Sequence, residues 1–175
     1  SPAEVLIISQ GYYSIKTGIN IALMSPGFSV CTGLVLFIPS LNLVSIAHFD
    51  CYKNHSVSES IDLLTASILK DYSFDFLNPM EYFFCICGSI QASLIHVIAY
   101  QLSLKKLKFT IIQLDSDGML MLYINSFNGM ITIITNPDTF KFFLSQTQPG
   151  KNQNERFELG SKVIVKATHE DSIKS

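Results

Sequence analysis

A cysteine and a histidine lie where a β-hairpin would bring them together. Cys31 falls at the start of the apolar run 30–38, and His48 ends the apolar run 43–48. Both runs are rich in branched residues and are separated by the turn signal at 39–42, so we predict two antiparallel strands. Neighbouring strands lie about 4.8 Å apart. The pairing would therefore place an imidazole within reach of a thiol.

A thiol beside an imidazole can act as a nucleophile, because the histidine favours the thiolate near neutral pH. Such a pair could hydrolyse a carboxamide through a thioester, with backbone N–H groups of the turn 27–31 as the oxyanion hole. A third group should hold the imidazole in one tautomer. The candidates are Ser25, Ser29, Ser45 and Asp50. The alternative is that the cysteine is a small core residue and the histidine a surface or satisfied one.

The flanking elements predict an α+β fold. Apolar spacing predicts a helix over 57–71, with Ser56 and Glu59 as a capping box, and a second helix over 89–102. Several short strands precede and follow them, including a hairpin at Asn128-Gly129. We predict a mixed or antiparallel β-sandwich-like sheet core with about two helices covering one face.

One domain and a polar tail account for the chain of 175 residues. Residues 1–144 form the predicted domain. Residues 145–175 are expected to be a polar linker and C-terminal extension, with a candidate strand at 161–167.

Composition excludes several classes of protein. Hydrophobic residues make up 48% and charged residues 15% of the chain, which rules out a disordered polypeptide. The net charge of −2, without a basic stripe, argues against nucleic-acid binding. Residues 82–104 carry no Asp, Glu, Lys or Arg, but their polar side chains and Gly88 predict a strand, a turn and a buried helix rather than a membrane span. The apolar run 4–9 is too short for a signal peptide.

The remaining candidates for metal binding or chemistry have simpler explanations. The chain has four cysteines, for which we expect free thiols in a reducing compartment. Cys85 and Cys87 are expected to fill the core, because their spacing does not suit zinc. His96 is expected to be a buried histidine, and the acidic turn 115–118 lacks the later ligands of a calcium loop. We therefore expect no metal and no cofactor.

The segment from Ser25 to Asp50 resembles the active-site segment of the CheD family of chemoreceptor glutamine deamidases. Those enzymes have a Thr six positions before a cysteine that opens an apolar strand, and a histidine seventeen positions after it. Cys31 and His48 match this spacing, and Ser25 stands in place of the Thr and keeps its hydroxyl. The segment is also similar to protein N-terminal asparagine amidohydrolases, which share the Cys-to-His spacing and a His-x-Asp ending, here His48-Phe49-Asp50. Cytotoxic necrotising factor deamidases have the same kind of site.

The resemblance implies that Cys31, His48 and Ser25 are catalytic residues of a protein glutamine or asparagine deamidase. It covers residues 5 to about 135 in the order of elements. This chain departs from CheD before the cysteine, where Pro-Gly-Phe-Ser-Val replaces a Gly-Leu-Gly-Ser run.

Three functions follow as hypotheses. The first is a protein glutamine deamidase, the second an N-terminal asparagine amidohydrolase with Asp50 or Glu59 receiving the free amine, and the third a binding module without turnover. We expect a monomer that acts on a protein substrate, in the cytoplasm or as a bacterial effector or toxin secreted into a host cytosol, and that binds neither nucleic acid nor a membrane.

Overall fold

Two β-sheets packed face to face form the centre of the molecule. The computed structural model describes residues 2–50, 54–116, 118–119 and 121–146. The strands of this part of the chain are β1 (Glu4–Ile7), β2 (Tyr13–Thr17), β3 (Ile21–Pro26), β4 (Thr32–Ile38), β5 (Leu43–Phe49), β6 (Phe83–Gly88), β7 (Phe109–Gln113), β8 (Met121–Asn125) and β9 (Ile131–Ile134). The helices are α1 (Asn54–Tyr72), α2 (Ile95–Leu104) and α3 (Pro137–Gln146). The predicted α+β class with a sheet core is confirmed.

The smaller sheet has the strand order β1-β3-β8-β9, and the larger sheet has the order β2-β5-β4-β6-β7. Each sheet is mixed. β1 runs parallel to β3, β6 runs parallel to β7, and the other pairs are antiparallel. The predicted hairpin is β4–β5, joined by the 3₁₀ turn Pro39–Leu41. Asn42 closes this turn in the left-handed conformation that asparagine tolerates.

Helices lie on both outer faces of the sandwich. Side chains of α1 and α2, such as Ile61 and Ile98, pack with Leu34 and Ala47 on the outer face of the larger sheet. Phe140 of α3 packs against the outer face of the smaller sheet. The two predicted helices therefore do cover one face, and a third, unpredicted helix lies on the other.

Both predicted helix starts are corrected. α1 begins at Asn54, so residue 56 lies inside the helix and not before its first turn. α2 begins at Ile95 instead of residue 89, because Ser89 forms a turn in which its side chain and its carbonyl accept the backbone N–H groups of Gln91 and Ala92.

The predicted boundary at residue 144 falls within α3, which ends at Gln146. The rest of the predicted extension, including the candidate strand at 161–167, lies outside the described residues. Residues 82–104 form β6, a turn and α2, in the predicted order. No helix in the described part of the chain is both long and apolar enough to span a membrane.

The layer between the sheets is tightly packed around Gly33. Alternate residues of each strand face it, among them Val35 and Ile46 of the larger sheet and Leu122 of the smaller one. Gly33 of β4 also belongs to this face, and a methyl group built onto it would lie 2.4 Å from Leu122 Cδ1 and 3.1 Å from Phe28 Cε1. The missing side chain at residue 33 therefore makes room for these two neighbours.

We predict that Gly33→Ala lowers the free energy of unfolding by roughly 1–3 kcal/mol, because the added methyl group overpacks the layer between the sheets. Chemical denaturation of both proteins measures the difference. Gly118→Ala is the matched control, since its new methyl group would meet nothing closer than Ser116 Oγ at 3.8 Å. Equal stability of Gly33→Ala and the unsubstituted protein would contradict the packing described here.

Candidate functional site

The larger sheet places Cys31 and His48 on the same face. His48 lies on β5 directly opposite Gly33, and Cys31 precedes β4 by one residue. Because side chains two residues apart in a strand share a face, Cys31 points to the same side as Gly33 and therefore as His48. That side is the layer between the sheets. Both side chains are buried: Cys31 is 3% exposed and His48 0%.

A hydrogen bond across the two sheets fixes the tautomer of His48. Ser25 of β3 lies in the opposite sheet, with its Oγ 2.7 Å from His48 Nδ1. The Ser25 hydroxyl donates its single hydrogen to the carbonyl of Ile8, at 2.6 Å. It must therefore accept from the imidazole, so Nδ1 carries the proton. The other nitrogen, Nε2, is left with its lone pair.

An aromatic ring closes the site. The ring of Phe28 stacks on the His48 ring, with centroids 3.9 Å apart and planes inclined by 17°. Phe28 is itself fully buried and occupies the space above Gly33. Among the described residues, Nε2 of His48 has no hydrogen-bond partner. The nitrogen that could accept a proton is thus shielded from water.

Burial lowers the pKa of His48 from 6.5 to about 3, because the charged imidazolium loses its hydration. A smaller contribution from the backbone of Gly27 raises it. The imidazole is therefore neutral at physiological pH. A neutral ring with a bare Nε2 is the form that a general base requires, although desolvation makes it a weak base.

Of the predicted orienting groups, the structure brings only Ser25 to His48. Ser29 is exposed, and its carbonyl accepts a hydrogen bond from Ser89. Ser45 lies on the opposite face of β5, because it is an odd number of residues from His48. Asp50 directly follows β5 and accepts a hydrogen bond of 2.6 Å from Gln10 Nε2.

The strand pairing places Asp50 level with Cys31. Thr32 pairs with Phe49, so one further step along the hairpin would bring Cys31 and Asp50 opposite each other. Asp50 is partly exposed at this end of the sheet. A carboxylate therefore marks the end of the hairpin nearest to the thiol.

The sequence did not predict the role of Phe28, since no spacing rule links a turn residue to a histidine twenty positions later. His96 was predicted to be buried and is instead exposed on α2, where the helix turns it toward solvent. Within the described residues, no group of three or more His, Cys, Asp or Glu side chains is placed to hold a metal ion.

Comparison with known proteins assigns no family to the chain. No family model and no curated protein matches it. Among solved structures, the crystal structure of Neisseria meningitidis protein NMB0706, described with the family model DUF152, is similar over 65% of this chain and 64% of that one, at 10% identity and a TM-score of 0.43. The chain thus spans less than two thirds of that protein. The resemblance to glutamine deamidases remains a prediction.

We predict that His48 makes the protein less stable in mild acid. In the unfolded protein His48 has a pKa near 6.5 and binds a proton in mild acid. In the folded protein its pKa is about 3, so it stays neutral there. The free energy of unfolding should therefore fall by about 1.6 kcal/mol from pH 6.5 to pH 5 on account of this residue. Denaturation at both pH values measures the change.

His48→Gln should remove that part of the pH dependence. His96→Gln is the control, because it removes an exposed histidine of α2 and leaves His48 in place. The same change with pH in the unsubstituted protein and in His48→Gln would contradict a buried, neutral imidazole.

Proposed function

We propose that this protein is a cysteine-dependent amidohydrolase that converts the side-chain carboxamide of Gln, or of Asn, in a protein substrate to a carboxylate. The observation that carries the proposal is the tautomer of His48. Its Nδ1–H is held by Ser25, and its bare Nε2 lies on the sheet face to which Cys31 points. A base with a fixed tautomer on the same sheet face as a thiol is an arrangement from which nucleophilic cysteine chemistry can start, once the thiol reaches Nε2.

The reaction would proceed in two stages. His48 Nε2 takes the proton of the Cys31 thiol, and the sulfur attacks the carboxamide carbon. The C–N bond breaks as the imidazolium returns the proton to the leaving nitrogen, so ammonia departs and a thioester remains. Water, deprotonated by the same Nε2, then attacks the thioester, which releases the carboxylic acid and the Cys31 thiol.

Ser25 acts as a positioning residue. Its hydroxyl is tied to the Ile8 carbonyl, so it can only accept from Nδ1 of the ring. When the ring gains a proton on Nε2, this contact remains and the ring keeps its orientation. The position of Ser25, six residues before Cys31, is also that of the hydroxyl residue in the deamidases that the segment resembles.

Substrate entry requires Phe28 to move. Its ring covers His48 and occupies the space above Gly33, which a carboxamide bound between Cys31 and His48 would need. Gly27 precedes it with φ at +88°, a conformation that favours glycine, and is exposed with open space around its Cα. We propose that rotation about this glycine lifts the ring out. Water would then raise the pKa of His48 toward its ordinary value.

A second candidate is an amidohydrolase for N-terminal asparagine. Asp50 favours it, because a partly exposed carboxylate at the hairpin end beside Cys31 could receive a free α-amine. Glu59 is less suited, since it is exposed on α1, which covers the outer face of the larger sheet.

We predict that the purified protein releases ammonia from proteins in a cell lysate and converts Gln or Asn to the acid, as detected by mass spectrometry. Cys31→Ala should abolish the activity, because the nucleophile is gone. Ser25→Ala should lower the rate by at least about tenfold, since the ring is no longer oriented. Ser25→Thr should retain most of the activity.

Cys87→Ala is the matched control, because it removes a buried thiol of the same layer that has no part in the proposed reaction. Ammonia release that survives in Cys31→Ala would disprove the proposal. Peptides with free and acetylated N-termini distinguish the two candidates, because only the N-terminal asparagine enzyme should lose its activity on acetylation.

We also predict that Phe28→Ala exposes the thiol. Cys31 should react with iodoacetamide at least about tenfold faster than in the unsubstituted protein, because the opened layer admits reagent and solvates the imidazole. Phe127→Ala removes a ring that is 70% exposed and serves as the control. An unchanged rate at Cys31 would show that Phe28 does not close the site, and a rate no faster than that of a model peptide would favour a binding module without turnover.

A further inference from the structure

A cavity of about 370 Å³ opens beside the edge of the larger sheet, away from His48. Its walls come from β4, β6, β7 and the β8–β9 hairpin, and most of them are aromatic or branched side chains: Phe37, Phe83, Phe109, Ile112, Ile124 and Ile131. Lys108, Thr110 and Asn128 add polar groups. The volume lies at the lower end of the range for small-ligand sites, about 300–1,000 Å³.

One thiol lines this cavity. Cys85 of β6 is part of its wall and is 5% exposed, whereas Cys87 does not line it and is 0% exposed. The two sulfur atoms are 3.6 Å apart, within hydrogen-bonding distance for sulfur. A molecule in the cavity would therefore meet Cys85 first, with Cys87 directly behind it.

Strand geometry keeps these two thiols from forming a disulfide. Residues two apart in a strand have Cα atoms roughly 6.7 Å apart, at the far limit of the disulfide range of about 4.4–6.8 Å. β6 is held on both sides, by β4 and by β7, so its backbone has little freedom to shorten this distance. Cys85 and Cys87 therefore remain two free thiols.

The hydrogen bond between the two thiols gives them different pKa values. Cys87 lowers the pKa of Cys85 to about 7, because its S–H stabilises the neighbouring thiolate. In return, the pKa of Cys87 is raised by Cys85 and by its own burial. Cys85 is therefore the better nucleophile, and it is also the thiol that lines the cavity.

We propose that Cys85 is a covalent modification site for small apolar electrophiles, specifically α,β-unsaturated aldehydes carried on a short hydrocarbon chain. The sulfur of Cys85 bonds to the β-carbon, the carbon–carbon π bond breaks, and the α-carbon receives the proton that the thiol gave up. Nothing leaves and nothing is oxidised or reduced. The product is a thioether whose chain occupies the cavity.

The lining selects this class of electrophile. Rings and branched side chains favour a hydrocarbon chain, which gains free energy on leaving water. The ammonium of Lys108 and the side-chain N–H groups of Asn128 offer hydrogen bonds to the aldehyde oxygen. A polar oxidant such as hydrogen peroxide gains nothing from such walls. The site involves none of Ser25, Phe28, Cys31 or His48, so it does not depend on the proposed hydrolase activity.

The test uses trans-2-nonenal, with acrolein as the same electrophile without the chain. Full-length Cys31→Ala protein is incubated with each, and adducts are located by peptide mass spectrometry. Cys85 should add trans-2-nonenal roughly tenfold faster than the same cysteine in the unfolded protein, because more of it is thiolate. Its preference for nonenal over acrolein should also exceed that of the unfolded protein.

Three variants sharpen the result. Cys85→Ala should remove the fast adduct, and Cys87→Ala should slow it severalfold, with Cys87→Ser as a second variant that retains a hydrogen-bond donor. Ile131→Phe, which fills the cavity, should slow nonenal more than acrolein. A rate at Cys85 no faster than in the unfolded protein, or the same preference for the two aldehydes as there, would overturn the proposal.

Discussion

The cross-sheet hydrogen bond from His48 to Ser25 is the interaction on which the candidate site depends. It joins the two sheets at a point from which water is excluded. In such a place an unpaired polar group costs free energy, and Ser25 satisfies the Nδ1–H group of the ring while its own hydroxyl donates to Ile8. One consequence is structural, since the bond ties β3 of the smaller sheet to β5 of the larger sheet. The other is chemical, since the histidine can carry its proton on only one nitrogen.

The stacking of Phe28 on His48 closes the site around the imidazole to solvent. A ring that covers the imidazole contributes apolar packing and lowers the pKa of the same group, because both effects come from removing water. The absence of a side chain at Gly33 is what gives this ring its place. The packing that holds the two sheets together thus also weakens His48 as a base, so the proposed reaction would have to begin with a local opening of the layer.

The inter-sheet layer holds three of the chain's thiols. Cys31, Cys85 and Cys87 all belong to it, since their strands pair in a register that points them to the same side. They have different neighbours. Cys31 lies near the end of the hairpin with His48 and Asp50, whereas Cys85 lines a separate apolar cavity. One layer thus offers two chemically distinct thiol environments, and the distinction comes from which edge of the sheet each thiol approaches.

Local pattern in the sequence determined the strands, the β4–β5 hairpin and the placement of Cys31 and His48 near one end of it, because branched apolar runs and turn residues act over a few positions. It also placed Ser25 among the orienting candidates, yet could not separate it from Ser29 and Ser45. That choice belongs to the tertiary structure, because it depends on which residue of the opposite sheet faces the imidazole. The closure by Phe28 was likewise decided by packing between elements far apart in the chain, which no local spacing encodes.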